Sequence, residues 1–243
     1  MNLFDREIKE LREYLQGKSL EQTIKEIHYT KSAVQWPSGE GRNIVLGEDV
    51  GVELGNPQEE SLSFIVLTDS KNEVRDNKIS LIGPDLQESQ GKSLPFGKVV
   101  IVSGKGFDET NSYERFRDIE SIRFDVDLKG YMLRAVSQYQ REWSRVSKEA
   151  LKKGFSFSIL GSALIDKLKE KDYIDAVEIV FVTSRREDVA ELRGISDRVT
   201  KIVNAMNKMI EEMSFDCDSC EYIDVCSEVE DLKKMRQAFQ KST

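Results

Sequence analysis

Three cysteines, Cys217, Cys220 and Cys226, fall within ten residues. Two thiolates three residues apart on a turn can face one metal ion, and a third can approach from the start of a following helix. The pattern therefore predicts a metal site, either an iron–sulfur cluster or zinc. A closed four-ligand site needs one more donor: a tail carboxylate, a water, an exogenous ligand or His28. Three ordinary buried thiols are the plain alternative, although the neighbours Asp216, Asp218, Ser219 and Glu221 are poor core company. A redox dithiol is the third reading, but no βαβ context surrounds the pair. Clustering of an odd number of cysteines argues against a disulfide framework and for a reducing, cytoplasmic compartment.

A second set of chemical groups lies between Tyr131 and Lys153. On a helical wheel of about 100° per residue, Arg134, Gln138, Arg141, Arg145, Lys148 and Lys152 line up on one side. Met132, Val136, Tyr139, Trp143, Val146 and Ala150 fall opposite. This predicts one amphipathic helix, with either a solvated basic face or a rail that contacts an anionic ligand or acidic partner. Trp143 falls on the apolar side, the side expected to face the core. Gly104-Lys105-Gly106 lacks the full phosphate-loop spacing and reads as a turn. Asp85, after Gly83-Pro84, reads as a turn residue or helix cap. The single His28 reads as structural, and alone it makes a Ser-His-Asp triad a poor expectation.

The whole chain limits these possibilities. With 36 Lys and Arg against 44 Asp and Glu, the net charge is −8, the wrong sign for a general nucleic-acid or anionic-membrane binder. The apolar runs, such as Val99-Val100-Ile101-Val102, are too short to span a bilayer. The N-terminus has no apolar signal core, so secretion is not expected. Eleven Phe, seven Tyr and two Trp can build a core, so a wholly disordered chain is not expected.

The elements that must position these groups follow from periodicity. Residues 1–30 read as two helices, the first stopped by Gly17 and the second started by the capping box Ser19-Leu-Glu-Gln22. A linker with Pro37, Gly39 and Gly41 follows. From Ile44 the period becomes two, giving strands at Gly51–Leu54, Leu62–Leu67, Lys78–Ile82 and Lys98–Ser103. Helices are expected at Tyr113–Leu128, Tyr131–Lys153 and Ser158–Lys171. An apolar strand, Ala176–Thr183, then precedes a short helix (Glu187–Arg193) and a long one with Ser196 as N-cap. A final helix carries Val229, Leu232, Met235 and Phe239. The fold class is α+β or α/β: a mixed sheet flanked by helices, with an N-terminal helical pair and a small Cys-containing tail. The expected divisions are 1–43, 44–214 and 215–243.

Five segments carry a family resemblance: Gly51-Val-Glu-Leu-Gly55, Ile79-Ser-Leu-Ile-Gly-Pro-Asp85, Leu94-Pro-Phe-Gly97, Trp143–Phe155 and Val177-Glu-Ile-Val-Phe-Val-Thr183. Together they resemble the middle region of acetyl-CoA synthase, the beta subunit of the CO dehydrogenase/acetyl-CoA synthase complex. The resemblance covers roughly Ile44 to Phe215. Cys217, Cys220 and Cys226 then stand where that family begins its nickel–iron–sulfur site. The family has a longer gap to its third cysteine, a fourth cysteine and a later Cys-Gly-Cys that holds nickel; this sequence shows none of these. The resemblance therefore implies a domain without the nickel acetyl-transfer centre, whose [4Fe–4S] cluster would need an altered ligand set. It also implies coenzyme A binding by a Trp and several Arg, matching Trp143, Arg141 and Arg145, with Arg134 and Lys148 of the basic line beside them. The implied role is a stand-alone accessory module of anaerobic one-carbon metabolism. Its implied partner is a corrinoid protein, a methyltransferase or a CO dehydrogenase subunit. A subunit of a split CO-methylating acetyl-CoA synthase and a coenzyme A-binding protein are the alternatives.

Overall fold

In a computed structural model, residues 3–29, 35–41, 43–89, 93–108, 110–136, 141–211 and 220–241 are described. The chain begins with helix α1 (Asp5–Glu21), then strands β1 (Ile24–His28), β2 (Val50–Leu54), β3 (Ser61–Thr68), β4 (Lys78–Ile82), β5 (Ser93–Leu94) and β6 (Phe96–Gly104). Helix α2 (Ser112–Ser121) leads to β7 (Tyr131–Val136), β8 (Glu142–Ser147), the short α3 (Lys148–Lys152) and α4 (Phe157–Lys169). Strand β9 (Ile174–Val182) is followed by helices α5 (Arg186–Ala190), α6 (Arg193–Glu211), α7 (Ile223–Glu228) and α8 (Glu230–Lys241).

Two mixed sheets result. The larger has the order β1-β4-β9-β6-β3 and the smaller β5-β2-β8-β7. Strands β3 and β6 pair in parallel and are buried along their whole length, with helices packed on β3 and strand β8 of the smaller sheet against both. Helix α4 packs on β9 and β4, whereas α6 and α1 lie on β3. Gly161 makes the close α4 approach possible: a Cβ there would sit 2.8 Å from Ile79 Cδ1. Asp85 accepts a hydrogen bond from Phe157 N at 3.1 Å, so it caps the start of α4 from a distant turn.

One buried ion pair joins the two sheets. Lys98 on β6 reaches Glu142 on β8, with Nζ 2.5 and 2.6 Å from the two carboxylate oxygens. Ser61 Oγ donates to Glu142 O at 2.6 Å and accepts from Glu142 N at 3.1 Å, so the end of β8 is stitched to β3 as well. Burial pushes the Lys98 ammonium below its ordinary range, opposed by Glu142.

Several elements differ from the sequence expectations. Gly17 does not stop α1, which runs on to Glu21. The expected second helix is the edge strand β1, paired antiparallel with β4 from Ile24↔Ile82 to His28↔Lys78. Its Ile24 and Ile27 share helical spacing, but docking on the open β4 edge satisfies the backbone in extended form. The Tyr113–Leu128 helix ends at Ser121 and tightens into a 3-10 turn at Ile122–Phe124. The largest correction concerns Tyr131–Lys153: no single helix exists there. Its described residues form the β7–β8 hairpin followed by α3, and residues 137–140, including Gln138 and Tyr139, lie outside the described part. The long helix begins at Arg193, ahead of the expected Ser196.

Two stability tests follow from this packing. Gly83 has φ 112°, and a Cβ there would lie 2.4 Å from Ser184 N. Gly83→Ala is expected to destabilise the fold by about 2–4 kcal/mol, read as a lower denaturation midpoint in urea. Lys98→Met leaves Glu142 as a buried, unpaired carboxylate and is expected to cost about 3–5 kcal/mol. Lys98→Met with Glu142→Leu should recover much of that loss in the same assay.

Candidate functional site: the Trp143 clasp

Side chains alternate along β8. Glu142, Ser144 and Val146 point into the protein, whereas Trp143, Arg145 and Ser147 are half-buried on the outer face of the smaller sheet. Register with β7 pairs Trp143 with Ala135 and Arg145 with Met132, and the ladder shifts between Leu133 and Ala135. The irregularity falls at Arg134 and brings its guanidinium to 4.7 Å from the Trp143 ring centre. Arg145, two residues along the same strand face, places its guanidinium 5.4 Å from that ring. Both distances lie within cation–π range, so one indole carries two cations.

Glu53 on β2 orients Arg145. It stands opposite in the ladder and accepts from Arg145 Nε at 2.7 Å and from Asn56 Nδ2 at 3.1 Å. Burial pulls the Glu53 carboxyl upward, but the hydrogen bonds from Asn56 and Arg145 outweigh it and hold the group below its ordinary value of 4.5. Arg134 is exposed and makes no hydrogen bond among the described residues. Beside Arg145, a depression of about 360 Å³ is lined by Gly47, Val50, Glu53, Ser93 and Arg145. A flat indole with two guanidiniums and one carboxylate suits a ligand that combines a stackable surface with anionic groups.

The other basic residues expected here go elsewhere. Arg141 donates to the carbonyl oxygens of Glu59 at 2.7 Å and Asn56 at 3.3 Å, anchoring the loop before β3. Lys148 donates to Glu48 O at 2.7 Å. The expected straight basic line thus separates into an outward pair around Trp143 and two backbone anchors. Trp143 is not opposite the arginines, as the wheel placed it, because alternate residues of a strand share a face. Glu53 was not among the expected site residues. Its signal was the Gly51-Val-Glu-Leu strand, in which a lone acid alternates with buried neighbours.

Of the thiols, Cys226 in α7 is buried in the hydrophobic core and Cys220 is half-buried just before that helix; Cys217 lies outside the described residues. Among the described residues no group of three or more His, Cys, Asp and Glu side chains is placed to hold a metal. The described thiols supply two donors, short of the four that a closed zinc site or a cubane takes, so the described residues do not by themselves fit that group. No described helix is long and apolar enough to cross a membrane.

The chain is of the two-sheet α/β class, with an aromatic–cationic clasp on its smaller sheet. Within that class the sequence comparisons are specific. The profile of the CO dehydrogenase/acetyl-CoA synthase complex beta subunit matches residues 35–189, more than half of the chain. The chain belongs to this family. It is 32% identical to the acetyl-CoA decarbonylase/synthase complex subunit beta of Methanopyrus kandleri, over 68% of this chain and 34% of that protein. It is 34% identical to the carbon monoxide dehydrogenase/acetyl-CoA synthase subunit alpha of Moorella thermoacetica, over 60% of this chain and 20% of that protein. The Archaeoglobus fulgidus subunit beta is 28% identical over 61% of this chain and 28% of its own length. The chain therefore spans only a fifth to about a third of these three relatives, and the matched region includes the whole Trp143 clasp.

The clasp gives a pH test. Because the Glu53 carboxyl is held below its ordinary value, its contribution to stability is complete above pH 4.5 and is lost as pH falls through the lowered value. Arg145→Ala is expected to move the Glu53 titration back up toward 4.5, followed by carboxyl carbon NMR. An unmoved titration would show that Arg145 does not hold Glu53.

Proposed function

We propose that this chain is an accessory, partner-docking domain of a CO dehydrogenase/acetyl-CoA synthase system, and that its Trp143 clasp is the contact face for coenzyme A. The observation that carries this reading is the pair of guanidiniums of Arg134 and Arg145 gathered on one half-buried indole inside the family-matched region. Coenzyme A offers both complements, phosphates for the guanidiniums and a planar base for the indole. Arg134, exposed at the rim, makes one phosphate contact. Arg145, fixed by Glu53, supplies a preorganised one, which lowers the entropy cost of binding. The same surface suits an acidic patch on a protein partner such as a corrinoid protein, a methyltransferase or a CO dehydrogenase subunit. The setting we infer is cytoplasmic, anaerobic one-carbon metabolism.

Acetyl transfer at nickel is not assigned to these residues, since the sequence contains no Cys-Gly-Cys. A subunit of a split acetyl-CoA synthase remains the enzymatic alternative. Purified protein loaded with nickel is expected to show no carbonyl exchange into acetyl-CoA, and robust exchange would favour the alternative. A metal-bound tail involving Cys217, Cys220 and Cys226 is a separate proposal, supported by their spacing. Anaerobic preparation with iron and sulfide at about four per chain would support a cluster, and zinc at about one per chain a structural site; metal-free protein would remove the proposal.

Coenzyme A binding is tested in a Trp36→Phe variant, in which Trp143 is the sole tryptophan. Saturable quenching is expected at sub-millimolar coenzyme A, weakened about tenfold or more by Arg134→Glu or Arg145→Glu. No response at millimolar coenzyme A would contradict the assignment.

A further inference from the structure

A cavity that shares no lining residue with the clasp lies between the segment leading into β2, the turn before β7 and α3. It has a volume of about 610 Å³, within the range of small-molecule sites. Four lysines line it: Lys129 from the turn before β7, Lys148 and Lys152 from α3, and Lys153 just after it. In a chain of net charge −8, this local concentration of ammonium groups runs against the background. Two of the four are already engaged, Lys148 with Glu48 O at 2.7 Å and Lys153 with Glu149 at 2.7 Å. Lys129 and Lys152 make no ion pair or side-chain hydrogen bond among the described residues, although Lys129 acts on Glu149 through space.

Trp36 forms part of the wall and is held in place. Its Nε1 donates to Lys129 O at 2.9 Å, and its ring meets Phe155 edge-on with centres 5.2 Å apart. The rim beside it is also tied down. The Asp127 carboxylate accepts from Ser38 Oγ, Gly39 N, Gly41 N and Asn43 Nδ2. These bonds, led by that from Ser38, hold Asp127 below its ordinary range. They also consume the glycine N–H groups, so the loop itself is not an anion cradle, and charge recognition falls to the lysines. Glu40, Asp49 and Glu149 also line the cavity and moderate its positive charge. A bare phosphate would therefore gain little, while a ligand that adds stacking on a fixed indole to a phosphate contact would gain from both.

We propose that this cavity binds a nucleoside diphosphate, with its base against Trp36 and its phosphates on Lys129 and Lys152. The same chemistry is presented by a free nucleotide or by the nucleotide end of coenzyme A. The site is separate from the Trp143 clasp, and a Trp143→Phe variant isolates Trp36 as the reporter. Titration of that variant with ADP is expected to give saturable quenching, weakened about tenfold or more by Lys129→Glu or Lys152→Glu. Pyrophosphate, which cannot stack, is expected to bind markedly less well. No quenching by millimolar ADP, quenching that survives both charge reversals, or equal binding of pyrophosphate would each overturn the proposal. Phosphorus NMR line broadening of ADP by the unsubstituted protein, lost on Lys152→Glu, reads the same contact should Trp143→Phe fail to fold. Coenzyme A displacing ADP from Trp36 would identify the coenzyme as a source of the nucleotide, and failure to displace it would leave free nucleotides. The clasp is read independently, through Trp143 in the Trp36→Phe protein.

Discussion

The Lys98–Glu142 pair is the constraint on which the arrangement depends. It is buried, it connects a central strand of the large sheet to a central strand of the small one, and Ser61 fixes the backbone of the same glutamate. A buried ion pair is weak evidence for net stability, since desolvation offsets much of its Coulomb gain. Its consequence here is geometric. With Glu142 locked inward, the alternation of a strand puts Trp143 and Arg145 outward, and no one-residue slip is tolerated without exposing the pair. The clasp is thus oriented from beneath by a contact its ligand would never touch.

The same pair explains where sequence reasoning failed. Inward positions of β8 hold Glu142 and Ser144, and an outward position holds Trp143, so the usual apolar-in, polar-out code is inverted over the first half of the strand. A helical wheel then fitted the residues better than a period of two, although tertiary pairing decides the conformation. Edge strand β1 was hidden for a different reason. Lys25, Glu26 and His28 make it polar, a common way of protecting an open edge, and two isoleucines three residues apart imitate a helix. By contrast, β3, β6 and β9 were legible because each carries a short, strongly apolar run bounded by turn residues. The long amphipathic helix α6 was legible from its spacing: Val199, Ile202 and Met206 are buried, although Ile210 near its end is exposed.

The candidate site was half visible. Residue type identified Trp143 and the nearby arginines, and the family resemblance gave them a role, but only the strand conformation shows which arginines meet the indole. Arg134 reaches it through an irregularity in the β7–β8 ladder, which no periodicity reports. Glu53 and the lysine cavity arise from segments far apart in sequence, brought together by sheet register and by the Asp127-anchored loop. The family assignment fixes the kind of scaffold. Since the chain spans only part of its relatives, ligand contact at the clasp has to be established on this polypeptide itself.

Hydrogen exchange along the whole chain, with and without coenzyme A, addresses that point most directly. Slowed exchange concentrated in residues 131–136 and 142–147 is the expected result, because ligand seated on Trp143 would damp opening of the β7–β8 hairpin. Unchanged exchange in both strands at saturating coenzyme A, or protection confined to α6–α8, would contradict the account.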